Sequence, residues 1–129
     1  MEVIVDYLSG MKFQAQCAQH RVIVDLPAES KGTDEGPTPP QYFLTSLASC
    51  VGVYVASYCN TSGLDAAGLQ IRITADKLPQ PTRLDNIKIT VTLPNADIGK
   101  RKEAILSAAK KCLIHNTLHS DPKVDIELA

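Results

Sequence analysis

The chain has 129 residues, of which 44% are hydrophobic and 21% are charged, an ordinary balance for a globular protein that argues against disorder. The length suits one domain spanning residues 1–129. A net charge of −1, only 5% aromatic residues and the absence of tryptophan argue against a surface for nucleic acid or anionic membranes.

The first third of the chain predicts strands. Apolar and polar residues alternate over 2–7 and again over 12–17, with a Ser-Gly turn signal at 9–10 between them. A third run, over 21–26, is rich in β-branched residues. We therefore expect an antiparallel meander, followed by a polar loop over 27–37.

A long helix is predicted from Thr38 to about Asn60. Thr38 can cap the helix, Pro39 suits the first turn because its missing N–H has no partner there, and Gln41 completes the spacing of a capping box. Gly63 supplies the left-handed stop.

The predicted helix carries no charge and is apolar on two sides, so we expect it to be buried between other elements or between subunits. Prolines and polar residues interrupt the charge-free run, which makes a membrane span a poor interpretation. One stripe consists of Phe43, Leu47, Cys50, Val51, Tyr54 and Tyr58, and the other of Leu44, Ala48, Val55 and Cys59.

The remaining chain predicts two strands, a second helix and a final strand. Alternation over 69–76 and 87–93 indicates strands with one wet face, joined by a hairpin loop over 79–86. An apolar face predicts a helix over 98–114, and alternation over 124–128 predicts the last strand. This order of elements favours an α+β fold.

Cysteine gives the strongest chemical signal. The first residues lack a basic segment followed by an apolar run, so we expect no secretory signal and a cytoplasmic protein, in which four cysteines are more often free or redox-active than bridged. Cys50 and Cys112 lie on the apolar faces of the two predicted helices and could meet if those faces pack. Free cysteine is also a common small core residue, which is our interpretation of Cys17 and Cys59.

A zinc site is a competing interpretation. Cys112, His115 and His119 have a spacing that could place them on one helical face. The Asn-Thr pair at 116–117 weakens the helix there, and no fourth ligand is evident, so we expect no metal and no cofactor. The sequence offers no residue that would pair with His20 in a catalytic or metal site, and we expect His20 at the surface.

Two segments resemble motifs of the OsmC/Ohr family. Residues 36–50, GPTPPQYFLTSLASC, are similar to its nucleophile helix, which follows a proline-containing loop and contains a cysteine. Residues 112–118, CLIHNTL, resemble its second-cysteine motif, in which an asparagine follows the cysteine by four positions. The two motifs occur in the family's order, and the predicted elements fit the family over nearly the whole chain.

The resemblance implies an OsmC-like fold, in which antiparallel sheets surround two long helices at the centre of an intertwined homodimer. It also implies a thiol-dependent peroxidase that protects against oxidative stress. Cys50 would attack an organic hydroperoxide and become a sulfenic acid, and Cys112 would condense with it to a disulfide that an external dithiol reduces.

The chain departs from the family at the group that activates the thiolate. Family peroxidases use an arginine paired with a glutamate. Pro40 stands at the glutamate's position, and the arginine near the first hairpin is missing, which indicates a divergent branch. Lys12 and Arg21 are the candidate thiolate-activating cations, although lysine lacks the planar fork of arginine.

A non-catalytic dimer that binds a small molecule or lipid on the same scaffold is the alternative. An unreactive Cys50, with no Cys50–Cys112 disulfide after mild peroxide, would distinguish it from the peroxidase.

Overall fold

A computed structural model describes residues 1–129 as five strands and three α-helices. The chain divides into two units, residues 1–43 and 44–129. In chain order the elements are β1 (Ile4–Ser9), β2 (Lys12–Cys17), β3 (His20–Val24), a 3-10 turn (Ala28–Ser30), α1 (Pro39–Ser62), β4 (Gln70–Pro79), β5 (Thr82–Thr92), a second 3-10 turn (Gly99–Arg101), α2 (Lys102–Lys110) and α3 (Leu113–His119).

The first unit contains the predicted meander. β1, β2 and β3 form an antiparallel sheet in that order, because each pair is joined by a short turn. Tyr7 lies opposite Phe13, and their rings meet edge to face with centroids 5.5 Å apart. Ala15 is buried, whereas every residue of β1 is exposed.

A buried carboxylate organises the loop after the meander. Asp25 accepts hydrogen bonds from the Thr33 hydroxyl (2.7 Å) and from the backbone N–H groups of Leu26 (2.8 Å), Thr33 (3.2 Å) and Glu35 (3.2 Å). Burial alone would raise the pKa of Asp25, but these four donors lower it to about 2. The loop also passes so close to itself that a Cβ on Gly32 would lie 1.7 Å from the Leu26 carbonyl oxygen.

Both predicted ends of α1 are confirmed. Thr38 donates from its N–H (2.8 Å) and its hydroxyl (3.1 Å) to Oε1 of Gln41, as in a capping box. Gly63 follows the last turn with a φ of +68°, and the N–H of Leu64 donates to the Cys59 carbonyl oxygen at 2.9 Å, which closes a Schellman motif.

The core of the second unit lies along one stripe of α1, not two. Its fully buried residues recur at every fourth position, and they pack with Leu93, Ile105 and Cys112. The opposite side is open within this chain, with Val53 66% exposed. By length and composition α1 could also cross a membrane, but a core helix meets the same criteria and α1 carries the core. The stripe consists of Leu47, Val51, Val55 and Cys59.

The prediction of a loop over 79–86 is wrong. β4 continues to Pro79 and β5 begins at Thr82, so only Gln80 and Pro81 form the turn, with a cis peptide bond between them. The end of this two-stranded antiparallel ribbon is mostly exposed. Its residues therefore need no apolar alternation, and the sequence pattern of a strand is lost there.

The prediction of one helix over 98–114 is also wrong. Lys111 and Cys112 separate α2 from α3, because Cys112 adopts an extended backbone (φ −52°, ψ 129°) and acts as the N-cap of α3. The fold therefore has one long helix and two short ones. No strand forms over 124–128, where the residues are exposed and pair with no neighbouring strand.

Candidate active site

Cys50 lies near the middle of α1, between the buried side chains of Leu47 and Val51. It is partly exposed and packs against the core cluster, whereas Cys112 is fully buried within that cluster. The break between α2 and α3 places Cys112 at the start of α3 and not at the end of a longer helix.

The structure brings these two thiols together. The two thiols are close enough for Cys112 to lower the pKa of Cys50 and for Cys50 to raise the pKa of Cys112, and no disulfide links them. Sixty-two positions separate the two cysteines in the sequence, so only the packing of α1 against the start of α3 accounts for their contact.

The pKa of the Cys50 thiol is lowered. Burial opposes this because it disfavours the thiolate, but the Cys112 thiol and the backbone N–H groups of Ile114 and Leu113 donate to the Cys50 sulfur and outweigh burial. Both amides belong to the first turn of α3, where backbone N–H groups have no partner inside the helix. Cys50 is therefore the better nucleophile of the two thiols.

The pKa of the Cys112 thiol is raised. Burial is the larger cause, and the neighbouring Cys50 adds to it through the hydrogen bond and through repulsion between two negative sulfurs. The N–H of His115, 3.4 Å from the Cys112 sulfur, and the N–H of Ile114 only partly offset these effects. Of the two thiols, Cys50 is therefore the one that loses its proton first as the pH rises.

The two candidate cations lie in the first unit. Lys12 on β2 forms an ion pair with Glu35 of the following loop, and its side chain is 19% exposed. Arg21 on β3 is exposed and takes part in none of the chain's ion pairs. The role of both residues as thiolate-activating groups remains a prediction. Glu35, the acidic partner of Lys12, was not singled out from the sequence, since an isolated loop carboxylate has no diagnostic spacing.

No three His, Cys, Asp or Glu side chains come together in a way that could hold a metal ion, so the zinc interpretation of Cys112, His115 and His119 gains no support. The two imidazoles contact each other, with their Nε2 atoms 3.1 Å apart. Cys59 is a buried core residue as expected, while Cys17 is only partly buried, at the end of β2.

Comparison with known proteins identifies the family. The family model of OsmC-like proteins matches residues 32–127. No match was found among curated proteins. Among solved structures, the chain is similar to an osmotic stress induced and detoxification response protein from Psychrobacter arcticus, with 24% identity, coverage of 92% of this chain and 88% of that chain, and a TM-score of 0.82.

Two further structures have the same fold. An OsmC-like protein from Mycoplasma pneumoniae is 21% identical, with 99% of this chain and 94% of that chain covered and a TM-score of 0.77. The organic hydroperoxide resistance protein OhrB of Bacillus subtilis is 14% identical, with 93% and 90% covered and a TM-score of 0.63. The family model spans most of the chain, and the protein therefore belongs to the OsmC-like family.

Proposed function

We propose that this protein is a thiol-dependent peroxidase that reduces organic hydroperoxides through Cys50 and Cys112, in defence against oxidative stress. The observation that carries the proposal is the asymmetry of the two neighbouring thiols: the pKa of Cys50 is lowered and that of Cys112 is raised. The likeness to the hydroperoxide resistance protein of Bacillus subtilis supports the choice of substrate class.

The chemistry begins with the Cys50 thiolate. Its sulfur attacks the terminal oxygen of the hydroperoxide, the O–O bond breaks, and the alkoxide takes up a proton and leaves as an alcohol, while Cys50 becomes a sulfenic acid. The Cys112 thiol then attacks the Cys50 sulfur, which releases water and forms a disulfide. An external dithiol reduces that disulfide to two thiols and is itself oxidised.

The opposite pKa shifts of the two thiols suit these two steps in order. A thiolate is needed for the attack on the O–O bond, and Cys50 is the thiol whose charged form is stabilised. Condensation needs a second thiol close by before the sulfenic acid is oxidised further, and Cys112 is close enough to Cys50 to lower its pKa.

Cumene hydroperoxide consumption with a dithiol reductant tests this proposal. We expect Cys50→Ser to abolish turnover. Once the dithiol is removed, Cys112→Ser should reduce one equivalent of peroxide and then leave Cys50 as a sulfenic acid, which a dimedone adduct detects by mass spectrometry. Cys17→Ser is the control, because Cys17 is a partly buried thiol on a separate strand and should retain full turnover. Undiminished turnover by Cys50→Ser would refute the proposed mechanism.

A non-catalytic binding protein on the same scaffold is the second candidate. The observation in its favour is that the groups that lower the pKa of Cys50 are a thiol and two backbone N–H groups, all of them uncharged. If wild-type protein neither consumes hydroperoxide nor forms a Cys50–Cys112 disulfide after mild peroxide, the binding role replaces the peroxidase.

A further inference from the structure

The second unit contains a cavity that neither thiol of the candidate active site lines. It has a volume of about 480 Å³ and lies between α1, β5, α2 and α3. This volume falls within the range of about 300–1,000 Å³ that is typical of small-molecule sites.

The cavity walls are mainly apolar, and all four elements contribute to them. An apolar molecule or an alkyl chain would gain by leaving water for such a surface. The apolar lining includes Val51, Ile89, Val91, Leu106, Ala109 and Leu118.

Two charged side chains line the cavity, and only one has a counter-ion. The Asp85 carboxylate is neutralised by Arg83, whose Nη2 lies 3.1 Å away, and it also accepts from the N–H of Asn86 at 2.8 Å. Lys110 takes part in none of the chain's ion pairs. The unmatched charge in the lining is therefore positive.

The two histidines of α3 bring ring nitrogens to the cavity wall, and one of these can donate a hydrogen bond to a ligand. The ring nitrogens of His115 and His119 share a hydrogen bond of 3.1 Å at the cavity wall. Nδ1 of His115 is buried and has no hydrogen-bond partner, so a proton on that atom would be left unsatisfied. The favourable tautomers therefore have the Nε2–H of His115 donating to Nε2 of His119, and the Nδ1–H of the exposed His119 ring is left to donate to a ligand.

We propose that this cavity binds an organic monoanion, a carboxylate on an apolar tail. The tail lies along the apolar walls, while the carboxylate pairs with Lys110 and accepts a hydrogen bond from His119. Charge complementarity selects this class: a neutral alcohol would leave Lys110 without a counter-ion, and a cation would be repelled by it. An apolar side chain from a second copy of the chain would fill the apolar part of the cavity, but it would likewise leave Lys110 without a counter-ion. The inference does not depend on peroxidase activity, because neither Cys50 nor Cys112 lines the cavity.

Calorimetric titration of the reduced full-length protein with three ligands of equal tail length tests the proposal. The ligands are octanoate, octanol and octyltrimethylammonium. We expect saturable binding of one octanoate per chain and at least tenfold weaker binding of the other two. Lys110→Gln should weaken octanoate binding about tenfold, because a charge-assisted hydrogen bond is lost. Lys111→Gln is the matched control: this exposed lysine on the next position lies outside the cavity lining, and its loss should leave the affinity unchanged.

A cavity-filling variant locates the binding. Ala109→Phe should abolish octanoate binding, and Ala109→Leu, a smaller change, serves if the phenylalanine variant fails to fold by circular dichroism. Equal affinities for the three ligands, equal effects of the two lysine substitutions, or full binding by the filled variant would each overturn the proposal. Absence of saturable octanoate binding, with a changed oligomeric state in Ala109→Phe, would assign the cavity to a second copy of the chain.

Discussion

The two sulfurs of the candidate active site are distinguished by a few hydrogen bonds and not by residue type. Cys50 and Cys112 are chemically identical, yet one turn of backbone at the start of α3 gives them opposite tendencies. The donors to Cys50, which include the amides of Leu113 and Ile114, outweigh its burial, whereas the amides of His115 and Ile114 only partly offset the deeper burial of Cys112. The proposed division of labour between an attacking and a resolving thiol thus depends on where α3 begins.

Removal of the Cys112 thiol should raise the pKa of the Cys50 thiol. In Cys112→Ala, Cys50 keeps the two amide donors but loses the thiol donor, so its thiolate is less stable. Iodoacetamide alkylates thiolates, and the pH at which the alkylation rate of Cys50 is half-maximal should move upward. Peptide mass spectrometry identifies the modified site. Cys17→Ala should leave the profile of Cys50 unchanged, and an unshifted profile in Cys112→Ala would contradict the assigned hydrogen bond.

The sequence identifies the two cysteines but not what activates them. Their residue type and the resemblance of the two flanking motifs are sufficient to single out Cys50 and Cys112. The donors at Leu113 and Ile114 are backbone groups, which every residue except proline possesses, so no residue pattern marks them. Only the position of the helix start turns these two amides into donors for sulfur.

One buried side chain, Asp25, orders the loop between β3 and α1. The loop between β3 and α1 has little regular structure, yet its backbone N–H groups converge on this carboxylate. The loop path also requires Gly32, because any Cβ there would collide with the Leu26 carbonyl group. The sequence predicts a polar loop correctly, but it does not show that the loop is ordered around a buried charge.

Substitution of Asp25 should make the free energy of unfolding less dependent on pH in the acidic range. The carboxyl has a pKa of about 2 in the folded protein and a reference value of 3.8. Its stabilising effect is therefore complete above about pH 3.8 and is lost as the pH falls towards 2. In urea titrations Asp25→Asn should be less stable than wild type at pH 7, and the difference should shrink between pH 4 and pH 2.

Asp34→Asn is the control for that experiment. Asp34 is an exposed acid of the same loop with a φ of +55°, a conformation that asparagine tolerates. The Asp34→Asn variant should lose little free energy of unfolding at any pH. A difference between wild type and Asp25→Asn that persists at pH 2 would mean that the charge of Asp25 is not the source of its effect.

At the scale of elements, the sequence predicts type and order better than ends. The meander, α1 and the two strands of the second unit are confirmed. In α1, β4 and β5 one side packs on the core and imposes a period on the residues, whereas the exposed strand β1 keeps its alternation without a buried face in this chain. The hairpin end at 79–82 and the break at Cys112 were missed for opposite reasons. The hairpin end is exposed, so its strands need no alternation of apolar and polar residues that would reveal them. At Cys112 the apolar spacing of α2 continues into α3, so nothing in the pattern marks the break.

Over the whole chain, large apolar side chains remain exposed on several elements. All of β1 is exposed, including Ile4, Val5 and Tyr7, and the outer side of α1 presents Val53. Large apolar side chains exposed in this number commonly mark a protein interface. We therefore keep the prediction of a homodimer.

Light scattering at micromolar concentration should give twice the mass of 13.9 kDa. Val53→Lys should shift the protein towards the monomer, because a charge would enter the apolar interface. Asn60→Lys places the same charge on an exposed polar position of α1 and should leave the mass unchanged. Circular dichroism checks that both variants retain their helices. A wild-type mass of a single chain would contradict the predicted dimer.

The spacing of the buried stripe on α1 constrains how two such helices can meet. Leu47, Val51, Val55 and Cys59 recur every four residues, whereas a helical turn takes 3.6, so the stripe winds slowly around the cylinder. Rows of this kind are inclined to the axis by about 26°. The exposed side of α1 follows the same winding as the buried stripe. Two copies of α1 that interdigitate along the equivalent outer rows would cross at about 50° in the manner of globin helices, so their axes would not run side by side as in a coiled coil.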